Sequence, residues 1–196
     1  MYRYIRSSED VFANNRQTSV VYPSSYVQAK RAEAFEYDGQ SEVPKDVKAG
    51  VIKDGITTIP ASAFSDCTKL GSVDIPASVT EIEEYAFGGC ERLKNISLPN
   101  GLSIIGDYAF FHCHSLSNIT IPGNVTTIGE GAFSGCFKLS SITIPASVSL
   151  IDRYTFEACK KLKKIMLQSD STEVDETALD GCKAQIVYPD GEIATL

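Results

Sequence analysis

The sequence predicts a right-handed repeat solenoid, in which coils of one pattern stack along a single axis. Six cysteines follow one another at intervals of 23 residues, and this interval is the length of one coil. A Phe stands three residues before each of the first five, and a Leu three residues after each of them. The cysteines are Cys67, Cys90, Cys113, Cys136, Cys159 and Cys182. The shared register of Phe, Cys and Leu predicts one continuous apolar core.

Each coil is expected to contain one short strand on the concave face. Apolar residues alternate at Val73 and Ile75, and at the equivalent positions of the next four coils, which is the period of a strand with one buried face. A Pro such as Pro76 follows four of these strands and starts a corner, because it has no N–H to donate. The strands of neighbouring coils should pair in parallel.

The rest of each coil is predicted to be a second extended edge and a tight turn. Apolar pairs such as Val79 and Ile82 mark the extended edge. Phe, Cys and Leu spaced by three place their side chains on one side of a short helical or 3₁₀ turn. All these segments should point apolar groups inward.

These residues resemble a known family, the BspA-like leucine-rich repeats of host-associated bacteria and some protists. The resemblance covers about residues 51–189 and rests on Leu70-x-x-Val73-x-Ile75-Pro76, Ser78-Val79-Thr80-x-Ile82 and Ala86-Phe87-x-x-Cys90-x-x-Leu93. It implies the α/β leucine-rich-repeat fold. Members of this family are mostly secreted or attached to the cell surface, and they bind proteins or neighbouring cells. The resemblance therefore also implies a secreted or surface location and a role in protein binding or adhesion.

One position departs from ordinary leucine-rich repeats. The corner after the strand usually carries Asn, whereas here the equivalent residues are Ser78, Gly101, Asn124, Ser147 and Asp170. We therefore expect a different corner geometry.

Three regions are expected along the chain. Residues 1–45 do not repeat, and Ser25 followed by Tyr26–Phe35 predicts an N-capped helix that covers the first coil; a flexible leader is the alternative. Residues 46–189 form the solenoid, of about six coils with the first and last degenerate. Residues 190–196 form a tail.

Composition narrows the function. The net charge is −7, without a basic face dense enough for nucleic acid. No run reaches the roughly 18 apolar residues of a membrane span. The amino-terminal residues are charged and polar where a secretion signal needs an apolar core. Either the protein acts inside the cell or a targeting segment has been removed, so the compartment stays open.

The cysteines, histidines and carboxylates do not form the pattern of a catalytic or metal-binding site. The cysteines should be reduced, because equivalent positions lie about 4.8 Å apart and a disulfide prefers Cβ atoms about 3.8 Å apart. His112-Cys113-His114 is the one metal-like cluster, and no third or fourth ligand is apparent. We expect no metal, no cofactor and no enzyme. Acidic residues such as Glu83, Glu84 and Asp152 are expected to lie on the convex corner, exposed to solvent, rather than in a catalytic cleft.

The predicted binding site is the outward side of the strands. Small polar groups dominate it, which suits an extended protein surface or a glycan better than a drug-sized molecule. The site residues are Asn95, Ser97, Asn118, Thr120, Thr143, Lys164 and Met166. The alternative is that these side chains only face solvent. A rival site is a convex stripe of Tyr85, Tyr108 and Tyr154.

A structural role is the second functional hypothesis. Acidic residues such as Asp66, Glu81 and Glu91 gather in the early coils, and basic ones such as Lys160 and Lys163 in the late coils. Opposite charges at the two ends would guide self-association from head to tail.

Overall fold

The computed structural model describes residues 34–194, and these form a parallel β-solenoid. No helix occurs among them. The strands are β1 (Phe35–Tyr37), β2 (Ala49–Ile52), β3 (Thr58–Ile59), β4 (Ser72–Asp74), β5 (Glu81–Ile82), β6 (Ile104–Ile105), β7 (Thr127–Ile128), β8 (Ser141–Ile144), β9 (Leu150–Ile151), β10 (Lys164–Leu167), β11 (Glu173–Val174), β12 (Gln185–Val187) and β13 (Ile193–Ala194). The solenoid predicted from the sequence is confirmed.

The first ladder contains strands that the sequence predicts, together with β1 and β13, which it does not predict. It comprises β1-β2-β4 at the early end and β8-β10-β12-β13 at the late end. Between them, the predicted strands at Ile96 and Ile119 are reduced to a single bridge between Asn95 and Asn118. Asn is depleted in strands, and it occupies the first outward position of both these coils.

The second ladder lies on the predicted extended edge, where short strands of neighbouring coils also pair in parallel. It comprises β3-β5-β6-β7 and the pair β9-β11. Its partners are 23 residues apart, as in Ile59, Ile82 and Ile105. The corner beside it is held by side-chain donors in place of an Asn ladder: the hydroxyl of Ser78 donates to the carbonyl oxygen of Ile56 at 2.8 Å.

Both ends of the first ladder are covered by strands. At the early end, β1 pairs in parallel with β2. Phe35, predicted as the last residue of a helix over 26–35, therefore belongs to a strand. Residues 26–33 of that predicted helix lie outside the described residues. At the late end, the segment predicted as a tail contains β13, which returns antiparallel to β12. A strand that covers a ladder end satisfies the edge groups beneath it.

A column of phenylalanine rings forms the centre of the core. Phe64, Phe87, Phe110, Phe133 and Phe156 are fully buried. Neighbouring rings are stacked with centroids 5.2 to 5.8 Å apart. The ring of Tyr37 covers the early end, 5.3 Å from that of Phe64. Each of the first five coils contributes one ring at the same position, so close packing of the rings fixes the register of each coil on the next.

The Phe–Cys–Leu segments are successive turns rather than a helix. Cys90 N–H donates to the Phe87 carbonyl and Leu93 N–H to the Cys90 carbonyl, which is the spacing of 3₁₀ bonds. A left-handed residue interrupts the turns twice in each of the first five coils, as at Tyr85 (φ 53°) and Gly89 (φ 72°). These residues donate their N–H to the next coil, Tyr85 to Asp107 at 3.0 Å and Gly89 to Phe111 at 2.7 Å. The turns therefore add a third line of bonds between coils.

Candidate functional site

The predicted concave residues lie on the outward side of the first ladder. Ser97, Asn118, Thr120, Lys164 and Met166 are exposed, and Asn95 and Thr143 are half-buried. The structure brings them together in two groups. Asn95 and Asn118 meet at the bridge in the middle coils, and Thr143 faces Met166 across β8 and β10.

An apolar row crosses the late end of this face. Met166 is the register partner of Val187 in parallel, and Val187 is the partner of Ile193 in antiparallel. Directly paired residues point to the same side of a sheet. Met166 is 38% exposed and Ile193 is 56% exposed. We refer to Met166, Val187 and Ile193 as the apolar row.

A polar row runs beside the apolar row. Lys164 is paired with Ser141 on one side and with Gln185 on the other, and all three are exposed. Buried Ile165 separates Lys164 from Met166 along β10, so both outward side chains are held from below. One long cation therefore stands next to an exposed apolar surface.

The predicted tyrosine stripe is two stacked rings and one separate one. The rings of Tyr85 and Tyr108 are 5.0 Å apart and nearly parallel. Gly131 occupies the next equivalent position, and a Cβ on it would come within 2.2 Å of the Tyr108 ring. The ring of Tyr108 thus covers Gly131, and Tyr154 lies one coil beyond.

The stripe continues into a larger aromatic cluster. Phe111 meets Tyr85 and Tyr108 edge-on, at 6.0 and 5.8 Å. His112 stacks on Phe111 at 3.8 Å, and His114 stacks on Phe137 at 4.5 Å. The two histidine rings are 5.1 Å apart. We call Tyr85, Tyr108, Phe111, His112, His114 and Phe137 the turn face, because they project from the Phe–Cys turns.

Charged groups border the turn face on both sides. The Tyr108 hydroxyl donates to Glu130 at 2.6 Å, and the Arg153 guanidinium donates to the other carboxylate oxygen of Glu130 at 2.6 Å. The hydrogen bond to Glu130, with burial, raises the pKa of Tyr108. On the other side, the Lys160 ammonium lies 4.8 Å from the centre of the Phe137 ring. The corner carboxylates are expected from the sequence to face solvent, but Glu130 instead accepts hydrogen bonds from two side chains.

The cysteines form a column of free thiols. The thiols of Cys90, Cys113, Cys136 and Cys159 donate to the carbonyl oxygen of the Phe 26 residues earlier, at 3.1 to 3.3 Å. Burial raises the pKa of Cys113 and Cys136 well above the ordinary thiol value. These thiols act as buried structural donors rather than nucleophiles.

The histidines do not gather a set of metal ligands. His114 Nδ1 lies 4.0 Å from a Glu91 carboxylate oxygen. Burial and neighbouring His114 lower the pKa of His112, against the opposite effect of Glu157 and Glu91. Among residues 34–194, no group of three or more His, Cys, Asp or Glu is placed to hold a metal ion. In the same residues, no helix is long and apolar enough to cross a membrane.

These features define a leucine-rich repeat protein, and comparison with known proteins agrees. Residues 47–188 match the BspA type leucine rich repeat region, in 6 copies. The chain therefore belongs to the BspA-type leucine-rich repeat family. Repeats of this kind serve as protein-binding or structural modules and are generally non-catalytic. A search of the curated proteins finds no match.

Solved bacterial structures share the fold. The leucine-rich repeat protein TpLRR of T. pallidum is 28% identical with a TM-score of 0.69, over 75% of this chain and 69% of that one. A leucine-rich repeat protein of Eubacterium ventriosum is 26% identical with a TM-score of 0.53, over 69% and 43%. The pneumococcal vaccine antigen PcpA is 22% identical with a TM-score of 0.59, over 79% and 36%. This chain thus spans about a third of PcpA.

Sequence reasoning missed parts of both faces. Ile193 joins Met166 and Val187 only because β13 folds back onto β12, and β13 lies outside the repeated positions. Phe111 and Phe137 occupy positions where other coils carry Ser65, Ser134 or Thr68. A large aromatic residue at a position that is otherwise small or polar was the signal available for the turn face.

Proposed function

We propose that this chain is a non-catalytic recognition module that binds a protein partner at the late end of the first ladder. The observation that supports this most directly is the apolar row, three neighbouring side chains of which Met166 and Ile193 are well exposed. Flexible or large apolar side chains on a polar surface are typical of the centre of a protein interface.

The frame beneath the row is rigid, which lowers the entropic cost of binding. Ile165 and Ile186 are buried directly under the outward side chains of β10 and β12. The register of both strands is held by parallel pairing from Lys164 to Met166. When a surface is already ordered before binding, little conformational entropy is lost on binding, and the affinity is higher.

The chemistry of the surface defines the partner. An extended protein segment would place an apolar side chain on Met166 and Ile193 and an acidic group beside Lys164. Further along the ladder, Ser97, Asn118 and Thr120 are exposed and offer hydrogen bonds to its backbone. The partner we propose is therefore a segment with apolar and acidic residues close together.

Selection from a random peptide library displayed on phage tests this directly. Selected peptides should be enriched in adjacent apolar and acidic residues, and calorimetry with the synthetic peptides should give measurable affinity. Met166→Thr with Ile193→Thr should lose that affinity, because both exposed apolar side chains are removed. Thr is tolerated at positions 120 and 143, which are equivalent to Met166.

The matched control is a change on the turn face. Phe111→Ser copies the residue at positions 65 and 134 and should leave peptide binding unchanged. If the Phe111 variant loses binding and the Met166/Ile193 variant keeps it, the proposed site is wrong. Failure to select any binding peptide would argue against the recognition role.

A further inference from the structure

The turn face has an aromatic centre that is continuous over several coils. Contacts run from Tyr85 to Phe111, from Phe111 to His112, and on through His114 to Phe137. All these side chains except exposed His112 are half-buried, so ring edges remain accessible to a partner. Aromatic residues are enriched at the centre of protein interfaces.

An acidic row borders the centre on one side. It occupies the position directly before the tyrosine, so its members are 23 residues apart: Glu84, Asp107 and Glu130. Glu84 and Asp107 are exposed. Arg153 follows at the same position and is paired with Glu130.

A basic row borders the centre on the other side. It occupies the second position after the cysteine, where Lys69, Arg92, Lys138 and Lys161 are all exposed. Within one coil the chain passes from the acidic position across the aromatic centre to the basic position, as from Glu84 through Tyr85 to Arg92. Glu91 is the exception within the centre, and it lies 4.0 Å from His114.

We propose that the turn face binds a second copy of this chain, in a dimer whose two-fold axis runs parallel to the solenoid axis. A rotation of this kind exchanges the two borders of the face and keeps the coils in register. The acidic row of one copy then meets the basic row of the other, twice in each dimer. Glu84 faces Arg92 of the other copy because both residues are exposed and belong to one coil.

The charges select this orientation over the antiparallel one. A two-fold axis across the solenoid would place acidic row on acidic row and basic row on basic row, which repel. The parallel arrangement also brings Phe111 and Phe137 of each copy to the shared centre. A polar border around an aromatic centre is the usual composition of an interface.

The proposed assembly is closed, which separates it from head-to-tail association. A two-fold contact uses the same surface on both copies and ends at a dimer, whereas contacts between opposite ends continue into filaments. The first ladder lies on other segments of each coil, so its outward side takes no part in this contact. Dimer formation and the peptide binding proposed above can therefore fail independently.

Sedimentation velocity of the full chain over a series of concentrations measures the assembly. The expected result is a reversible monomer–dimer equilibrium without larger species. Phe111→Ser with Phe137→Thr should shift it to monomer, and both replacements occur at equivalent positions in other coils. Met166→Thr with Ile193→Thr is the matched control and should dimerise as the unmodified chain does.

A charge exchange tests the orientation. Glu84→Lys makes both borders of its coil basic, and Arg92→Glu makes both acidic, so each variant alone should have a dissociation constant raised about tenfold. An equimolar mixture should form heterodimers at the original affinity. A chain that stays monomeric at every concentration, or Glu84→Lys and Arg92→Glu variants that each dimerise normally, would overturn the proposal.

Discussion

The Cys113 thiol donates a hydrogen bond to the carbonyl oxygen of Phe87, with 3.2 Å between sulfur and oxygen. The two residues are 26 positions apart and lie in adjacent coils. The same carbonyl also accepts the N–H of Cys90 at 3.2 Å. The cysteine thus fills core volume and also links two coils through its thiol. A small apolar residue could fill part of the volume but could not donate the hydrogen bond.

Replacing Cys113 should reveal this bond through the order of two variants. Cys113→Ala removes both the sulfur volume and the donor, and should lower the free energy of unfolding by about 2 kcal/mol. Cys113→Ser keeps a donor and should cost less, about 1 kcal/mol. Urea unfolding measures both. If the serine variant is the less stable, its hydroxyl is unpaired and the thiol bond is not a stabilising contact.

Thiol labelling should follow burial along the column. The pKa of Cys159 is raised to about 12, mainly by burial, and Cys113 and Cys136 are fully buried. Cys182 is only half-buried, so it should react first with a maleimide in the native protein, and all six thiols should react after unfolding. In Cys182→Ser, native labelling should almost disappear. Fast native labelling of that variant would contradict the buried column.

The repeat register could be predicted from the sequence because burial repeats with it. Phe87 and Phe110 are 23 residues apart, and their rings are stacked at 5.4 Å. An apolar residue at a fixed interval has one low-energy place in a stack of coils. The predicted site residues on the outward side of β10, Lys164 and Met166, are exposed for the same reason.

The parts that could not be predicted depend on conformation rather than hydrophobicity. Tyr85 and Tyr108 adopt φ of 53°, although nothing in a tyrosine indicates a left-handed residue. The one hint was Gly131 at the equivalent position. Strand β13 depends on a local turn in which Asp190 accepts the N–H of Glu192 at 2.8 Å, and this turn lies outside the repeat.

Relieving one left-handed residue should stabilise the solenoid. Ala158 has a φ of 54°, and the equivalent residues Gly89, Gly135 and Gly181 are glycines with positive φ. Ala158→Gly should raise the free energy of unfolding by about 1 kcal/mol, because the Cβ strain of an L-residue in this region disappears. The control is Ala109→Gly, at a buried position without positive φ, which should destabilise. Equal effects of the two changes would contradict the assigned backbone strain.

The stability of the turn face should depend on pH through His112. Burial and His114 lower the pKa of His112 in the folded state, so the unfolded chain binds the proton more readily. The contribution of His112 is complete above the unfolded pKa of about 6.5 and is lost as the pH falls from there through the lower folded pKa.

The variant that tests this is His112→Gly, which places a glycine where Gly89 and Gly135 stand in other coils. The groups that face His112, namely Glu91, Glu157 and His114, are retained in it. Urea unfolding between about pH 7 and about pH 5 should therefore show a smaller loss of stability in this variant than in the unmodified chain. Ala158→Gly introduces no titrating group and should keep the original pH dependence. An unchanged pH dependence in His112→Gly would place the titrating group elsewhere.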